Sequence, residues 1–267
     1  MGEVIVVTSG KGGVGKTTTT ANIGVGLALA GKSVLLVDTD IGLRNLDVVM
    51  GLENRIVYDL VDVLQGRCEH KKAIIKDKRY HGLALLPAAQ TKDKEAVSPQ
   101  QMAELCVKLK EEYDYVLIDC PAGIEQGFKN AIAGADRAIV VATPDISSVR
   151  DADRIIALIE AHSEFILDKR LVVNRIKPDL VKKGDMLSVE DMLEILAVEL
   201  LGVVPDDPFI LVSTNKGEPA ASNGGSLAGQ AYRNIVERIV TGENVPLLNL
   251  EEKKGFFAKV KGLFVRG

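Results

Sequence analysis

Cysteine is scarce in this chain of 267 residues: only Cys68, Cys106 and Cys120 occur, widely separated and with no C-x-x-C pair. That argues against a disulfide framework and against a zinc or iron–sulfur site, and it fits a reducing compartment. No apolar run approaches the roughly 18 residues that a membrane-spanning helix needs. The N-terminus enters a β-branched run within a few residues and lacks the pattern of a secretory leader. Nothing reads as a linker between two domains, so one large α/β unit is expected. Charged residues at 26% and hydrophobic ones at 46% are those of an ordinary globule. Together these absences predict a protein made and kept in the cytoplasm.

Net negative charge is modest at −4, but it is unevenly spread. Residues 253–267 hold five basic residues and no acid, which leaves −9 on the rest of the chain. An acidic body argues against general DNA binding, and no nucleic-acid partner is expected.

What the sequence does contain is concentrated in residues 9–18, SGKGGVGKTT, between the apolar run 4–7 and a long helical pattern. A β-branched strand that ends in a glycine-rich turn and feeds a helix aims backbone N–H groups and a positive helix terminus at one point, which suits phosphate. The spacing Gly10-x4-Gly15-Lys16-Thr17 is the phosphate-loop pattern. It assigns Lys16 to the β and γ phosphates and Thr17 to Mg²⁺, with Gly12, Gly13, Val14 and Thr18 completing the cradle. Residues 33–37 read as a buried parallel strand that ends in Asp38-Thr39-Asp40, where carboxylates face the crevice in which α/β sheets bind ligands. Either acid could instead cap the following turn. Residues 113–119, YDYVLID, form a β-branched and aromatic run closed by Asp119, the arrangement that delivers one carboxylate to Mg²⁺ or its water shell.

Lys11 adds a second lysine at the start of the loop. The resulting K-G-G-x-G-K-T resembles the deviant Walker A loop of the MinD/ParA family of ATPases. The resemblance extends to D-T-D at 38–40, to the switch I residues 42–47 (GLRNLD), to D-C-P-A-G at 119–123, and to S-S-V-R-D-x-D at 147–153. It therefore covers nearly the whole chain. It implies a doubly wound, mainly parallel sheet with helices on both faces, and hydrolysis of ATP with Mg²⁺. It also implies a nucleotide-sandwiched homodimer in which Lys11 reaches the partner's phosphates, Asp40 positioning the attacking water and Asp38 beside the metal. A solvated loop lysine is the bland alternative for Lys11.

The family's division-positioning members imply two further partners, a MinC-like division inhibitor and a MinE-like activator, docking at the dimer edge near Arg44, Asp151 and Asp153. Ser147 and Ser148 are also plausible helix caps, in which case Asp151 and Asp153 simply favour the helix's positive end. By the same resemblance Asn174 and Arg175 meet the adenine, and the backbone at Pro205, Asp206 and Asp207 closes around it. Asparagine can donate and accept at once, although it is also a common turn former. Relatives that place flagella or segregate DNA share the loop, and a membrane scaffold with negligible turnover is the non-enzymatic alternative.

Elsewhere, Ser98 and Pro99 should cap and open a helix through about residue 112, residues 182–184 read as a surface loop, and residues 225–240 as the last helix of the body. Cys120 reads as a small buried hydrophobe. An ATPase domain over 1–250 then gives way to a tail, 251–267. On a helix, Phe256, Phe257, Val260, Leu263 and Phe264 fall within an arc of roughly 120°, with Lys254, Lys259, Lys261 and Arg266 outside it. Cations flanking a bulky apolar face describe a helix lying in an anionic membrane surface. Packing on the body, or on a partner protein, would use the same face. Each cation near such a surface contributes about 1 kcal/mol, and ordering costs a comparable total, so one tail binds marginally. Two tails on one dimer gain about 10²–10⁴ in avidity. The expected location is thus cytoplasmic and reversibly peripheral on the inner face of the cell membrane.

Overall fold

The structure is a computed structural model that describes residues 2–90, 97–162 and 166–248. Its described strands are β1 (Glu3–Thr8), β2 (Val34–Asp38), β3 (Ile75–Lys76), β4 (Leu83–Leu86), β5 (Tyr115–Asp119), β6 (Arg137–Ala142), β7 (Asp168–Ile176) and β8 (Glu199–Pro205). They form one sheet in the order β3-β4-β2-β5-β1-β6-β7-β8. Every neighbouring pair is parallel except β3 with β4, where the two-residue β3 forms an antiparallel edge.

The parallel strands carry unbroken apolar runs because both faces of the sheet are covered. Val4 and Val6 of β1 enter one core while Ile5 and Val7 enter the other, and β2 divides Leu35 and Val37 from Val34 and Leu36 in the same way. The helices are α1 (Lys16–Leu29), α2 (Leu46–Val49), α3 (Leu60–Leu64), α4 (His70–Ala73), α5 (Pro99–Glu112), α6 (Gln126–Ile132), α7 (Ile146–His162), α8 (Pro178–Lys183), α9 (Val189–Leu196), α10 (Phe209–Asn215) and α11 (Leu227–Thr241). Met102 and Leu105 of α5, Phe128 of α6, Ile155 of α7 and Met192 of α9 fill the first core. Ile23 and Leu27 of α1, Leu46 of α2, and Tyr232 and Ile235 of α11 fill the second. This is the doubly wound arrangement expected.

The chain winds outward from β1 in both directions, so β2 and β5 lie on one side of it and β6 on the other. Such a reversal opens a crevice at the carboxyl ends of the strands. There the start of α1 meets Asp119, with Asp38 beside it.

Two local expectations are corrected. Lys182 and Lys183 do not lie in a loop but close α8, which Pro178 opens and Gly184, in the left-handed region at φ 75, terminates. The cap of α7 is Asp145, whose Oδ1 accepts from the Ser148 N–H at 2.9 Å. Ser147 and Ser148 are already inside the helix, and Asp151 and Asp153 lie beyond its first turn, away from the helix's positive end. By contrast, Ser98 caps α5 as expected, accepting from the Gln101 N–H. Residues 251–267, with all the residues expected at a membrane, lie outside the described residues, as does the boundary at 250.

Candidate nucleotide site

The loop after β1 reaches α1 through Gly15, whose φ of 96 and ψ of 24 are left-handed. A Cβ at that position would stand 2.3 Å from Asn174 Nδ2. Glycine is therefore required twice, by the torsion and by the close approach of β7. Asn174 explains the approach: its Nδ2 donates to the Val14 carbonyl at 2.7 Å, and its Oδ1 accepts from the Arg175 N–H at 3.0 Å. The residue expected at the adenine edge thus already ties the end of β7 to the phosphate loop, leaving one N–H and one lone pair for a base.

Lys16 opens α1 with its side chain buried, and its Nζ lies 3.5 Å from Asp119 Oδ1. One turn on, Thr20 Oγ1 donates to the same carboxylate oxygen at 3.2 Å. Asp119 also takes a side-chain hydrogen bond from Thr17. Asp38 and Asp119 are register partners at the ends of β2 and β5 and are buried. Burial and the neighbouring Asp119 charge push the Asp38 carboxyl up to about 7, although the N–H groups of Asp40 (2.9 Å) and Leu46 (3.2 Å) donate to it. Burial raises Asp119 as well, opposed by Lys16, Thr17 and Thr20. Asp38 therefore does hold the following turn, the alternative reading of the sequence, while standing beside the metal-assigned Asp119.

Two buried carboxylates stand side by side and only Asp119 is paired with a lysine, which leaves the cluster short of positive charge. A hard dication would relieve it, and the donors on hand, carboxylate and hydroxyl oxygens, are those Mg²⁺ prefers. Among the described residues no group of three or more His, Cys, Asp or Glu could hold a metal. Mg²⁺ takes one or two protein carboxylates and completes its shell with phosphates and water. Asp40 sits half-buried at the mouth, beside Asp38.

Lys11 is held within its own chain. Its Nζ donates to Ser147 Oγ at 2.8 Å and lies 3.9 Å from Asp145 Oδ1, with both charged side chains half exposed. Ser147 Oγ in turn donates to Asp145 at 2.7 Å. The same helix abuts the loop, since a Cβ on Gly10 would stand 2.6 Å from the Cβ of Asp151. Asp151 is consequently half-buried, whereas Asp153 is exposed. Arg44, in the left-handed region at φ 44, pairs with the buried Asp47 at 2.9 Å.

At the other end of the crevice Arg175 is exposed and left-handed at φ 60, Pro205 ends β8, and Asp206 pairs with Lys177 at 3.1 Å. Asp207, expected to offer a base its backbone, uses its side chain elsewhere. It accepts from Phe209 N (2.9 Å), Ser226 Oγ (2.8 Å) and Ala228 N (3.0 Å), so its side chain caps the entries to α10 and α11. Only its backbone remains for a base. Cys120 is fully buried and its thiol is pushed up to about 12 by burial, the behaviour of a packing residue.

Thr20 and Asp145 belong to the site but escaped the sequence reading, and Ser147 was read as a helix cap or dimer-edge residue rather than as the partner of Lys11. Thr20 could have been found as the residue four after Lys16 on the same helix face, and Asp145 as a capping acid three before Ser148.

This loop, sheet and acid pair define a P-loop ATPase. A family model described as AAA domain matches residues 2–172. The septum site-determining protein MinD of Bacillus subtilis is 60% identical over 266 residues, covering 99% of this chain and 98% of that protein. The MinC:MinD cell division protein complex of Aquifex aeolicus contains a chain with 49% identity and a TM-score of 0.84, covering 92% of this chain and 98% of that one. MinD of Pyrococcus horikoshii, solved as a complex with Mg-ADP, is 32% identical with a TM-score of 0.81, covering 92% and 98%. The chain belongs to the MinD family of septum site-determining proteins.

Proposed function

We propose that this protein is a magnesium-dependent ATPase that helps to position the division septum by cycling between a free and a membrane-associated form. The observation that carries the reading is the cluster beneath the phosphate loop, with Lys16 and Thr17 on the buried Asp119 and Asp38 beside it. Mg²⁺, when bound, would neutralise phosphate charge there. Thr17 and the carboxylates of Asp38 and Asp119 would hold it, directly or through water. Lys16 would leave Asp119 for the β and γ phosphates, and Asp40 would orient the attacking water. Asn174, Arg175 and the backbone from Pro205 to Asp207 would enclose the base.

The same reading makes ATP the glue of a homodimer that Lys11 closes across the interface. The tail, residues 251–267, would then bind an anionic membrane by pairing two weak anchors. The relative solved with MinC supports a MinC-like inhibitor as partner, and on this reading Arg44, Asp151 and Asp153 would be its docking residues. A MinE-like activator would use the same edge, and the protein would be cytoplasmic with reversible residence on the inner membrane face.

The test is co-sedimentation with anionic liposomes in ADP and in a non-hydrolysable ATP analogue, for the intact chain and for one ending at Glu252. Binding that requires both the ATP analogue and the tail is the expected result. Sedimentation that ignores nucleotide and tail alike would remove the membrane part of the proposal. Adding a purified MinC-like protein to the same assay tests the partner.

A further inference from the structure

The short helix α2, which begins within switch I, is held at both ends. At its near end the first residue of α2, Leu46, donates its N–H to Asp38 Oδ2 at 3.2 Å. Its far end is gripped by a residue outside the site. Arg79, in the turn between β3 and β4, sends Nη2 to the Met50 carbonyl, the C-cap of α2, and Nη1 to the Gly217 carbonyl at 2.7 Å. The guanidinium is itself fixed by Asp77, through Nε at 3.1 Å and Nη2 at 2.6 Å. Asp77 is buried, and its carboxyl is held below the usual range by its hydrogen bonds and charge contact with Arg79.

Gly217 lies just past α10, the helix that follows the Asp206-Asp207 turn. Its backbone presses on Gly51: a Cβ on Gly217 would stand 2.6 Å from the Gly51 Cα. Both glycines are left-handed, at φ 61 for Gly51 and φ 64 for Gly217. A single guanidinium fork thus spans two backbone carbonyls that are 167 residues apart and clamps α2 to the segment after α10. From Met50 to Leu46 is one hydrogen-bonded turn (3.0 Å), so the grip reaches the Asp38 donor with little slack.

We propose that Arg79 is a positioning residue for ATP hydrolysis: it locks α2 against the Gly217 turn and so holds the Leu46 N–H, and with it Asp38, in register for the metal. The inference rests on the ATPase reading above. Lysine carries the charge to Asp77 but lacks the fork, so it cannot hold both carbonyls at once. Misplacing a catalytic group by about 1 Å costs up to about 10²-fold in rate.

The experiment measures kcat, KM for ATP, half-saturating Mg²⁺ and the melting temperature for the wild type, Arg79→Lys and Arg79→Met. Leu196→Ala, in α9 on the far core, serves as a control destabilised elsewhere. Arg79→Lys is expected to lower kcat about tenfold and raise the half-saturating Mg²⁺, with KM for ATP changed less than about twofold. If Arg79→Met fails to fold, Arg79→Lys alone decides. A kcat within about twofold of wild type, or a loss no larger than that of the control at matched melting temperature, would overturn the proposal. A wild-type chain that does not hydrolyse ATP would instead overturn the functional reading, and this inference with it.

Discussion

Asp38 carries the most legible consequence at the scale of one residue. Its carboxyl keeps its proton up to about 7 in the folded chain, against an ordinary 3.8. A group whose folded value is raised stabilises most below its unfolded value, and that contribution is lost as pH climbs through the folded one. The nucleotide-free protein should therefore weaken between about pH 4 and pH 8. Asp38→Asn, permanently uncharged, should flatten this slope and melt higher than wild type at pH 8, by about 2–4 °C for each kcal/mol recovered, even though hydrolysis falls. Thermal melts of both proteins across that range check it, and parallel curves would show that Asp38 does not titrate as described. The sequence pointed to Asp38, Asp40 and Asp119 because acids that end apolar runs are visible in one dimension. It could not show that Asp38 and Asp119 are neighbours in register, since the strands that carry them are 81 residues apart.

Elements are where local signals were read well or lost. Ser98-Pro99 announces α5, and Gly15-Lys16 announces α1, because caps and turns are written in adjacent residues. Asp207 was read only for its backbone, and the work of its side chain went unseen because two of its three partners are distant: Ser226 and Ala228 lie 19 and 21 residues on, at the start of α11. Removing its three hydrogen bonds by Asp207→Ala should cost about 1–3 kcal/mol. Urea unfolding should show a lower midpoint at unchanged slope. A variant with wild-type stability but impaired ATP binding would return Asp207 to the base.

For the whole molecule, the placement of Lys11 sets a threshold for assembly. The lysine that is expected to reach a partner is occupied by Ser147 and Asp145 of its own chain. An ion pair so exposed is worth about 0.2–1 kcal/mol, enough to restrain association but not to block it. Asp145→Asn keeps the cap of α7, since asparagine caps as well as aspartate, but removes the charge that holds Lys11. Sedimentation velocity in a non-hydrolysable ATP analogue should then show dimer formation favoured by up to about fivefold for each of the two Lys11 side chains released. Unchanged association would mean that Lys11 is not drawn from this store. What the sequence determined by itself was the class of site and of fold, because a phosphate loop, its flanking strand and helix, and apolar runs ending in acids are all short-range patterns. What only tertiary structure decided was the company these residues keep: Asp38 against Asp119, Asn174 on Val14, Lys11 on α7, and Arg79 across two distant carbonyls. Those contacts arise from the order in which parallel strands are wound. Each crossover separates spatial neighbours by tens of residues, and no local periodicity records which strands become adjacent.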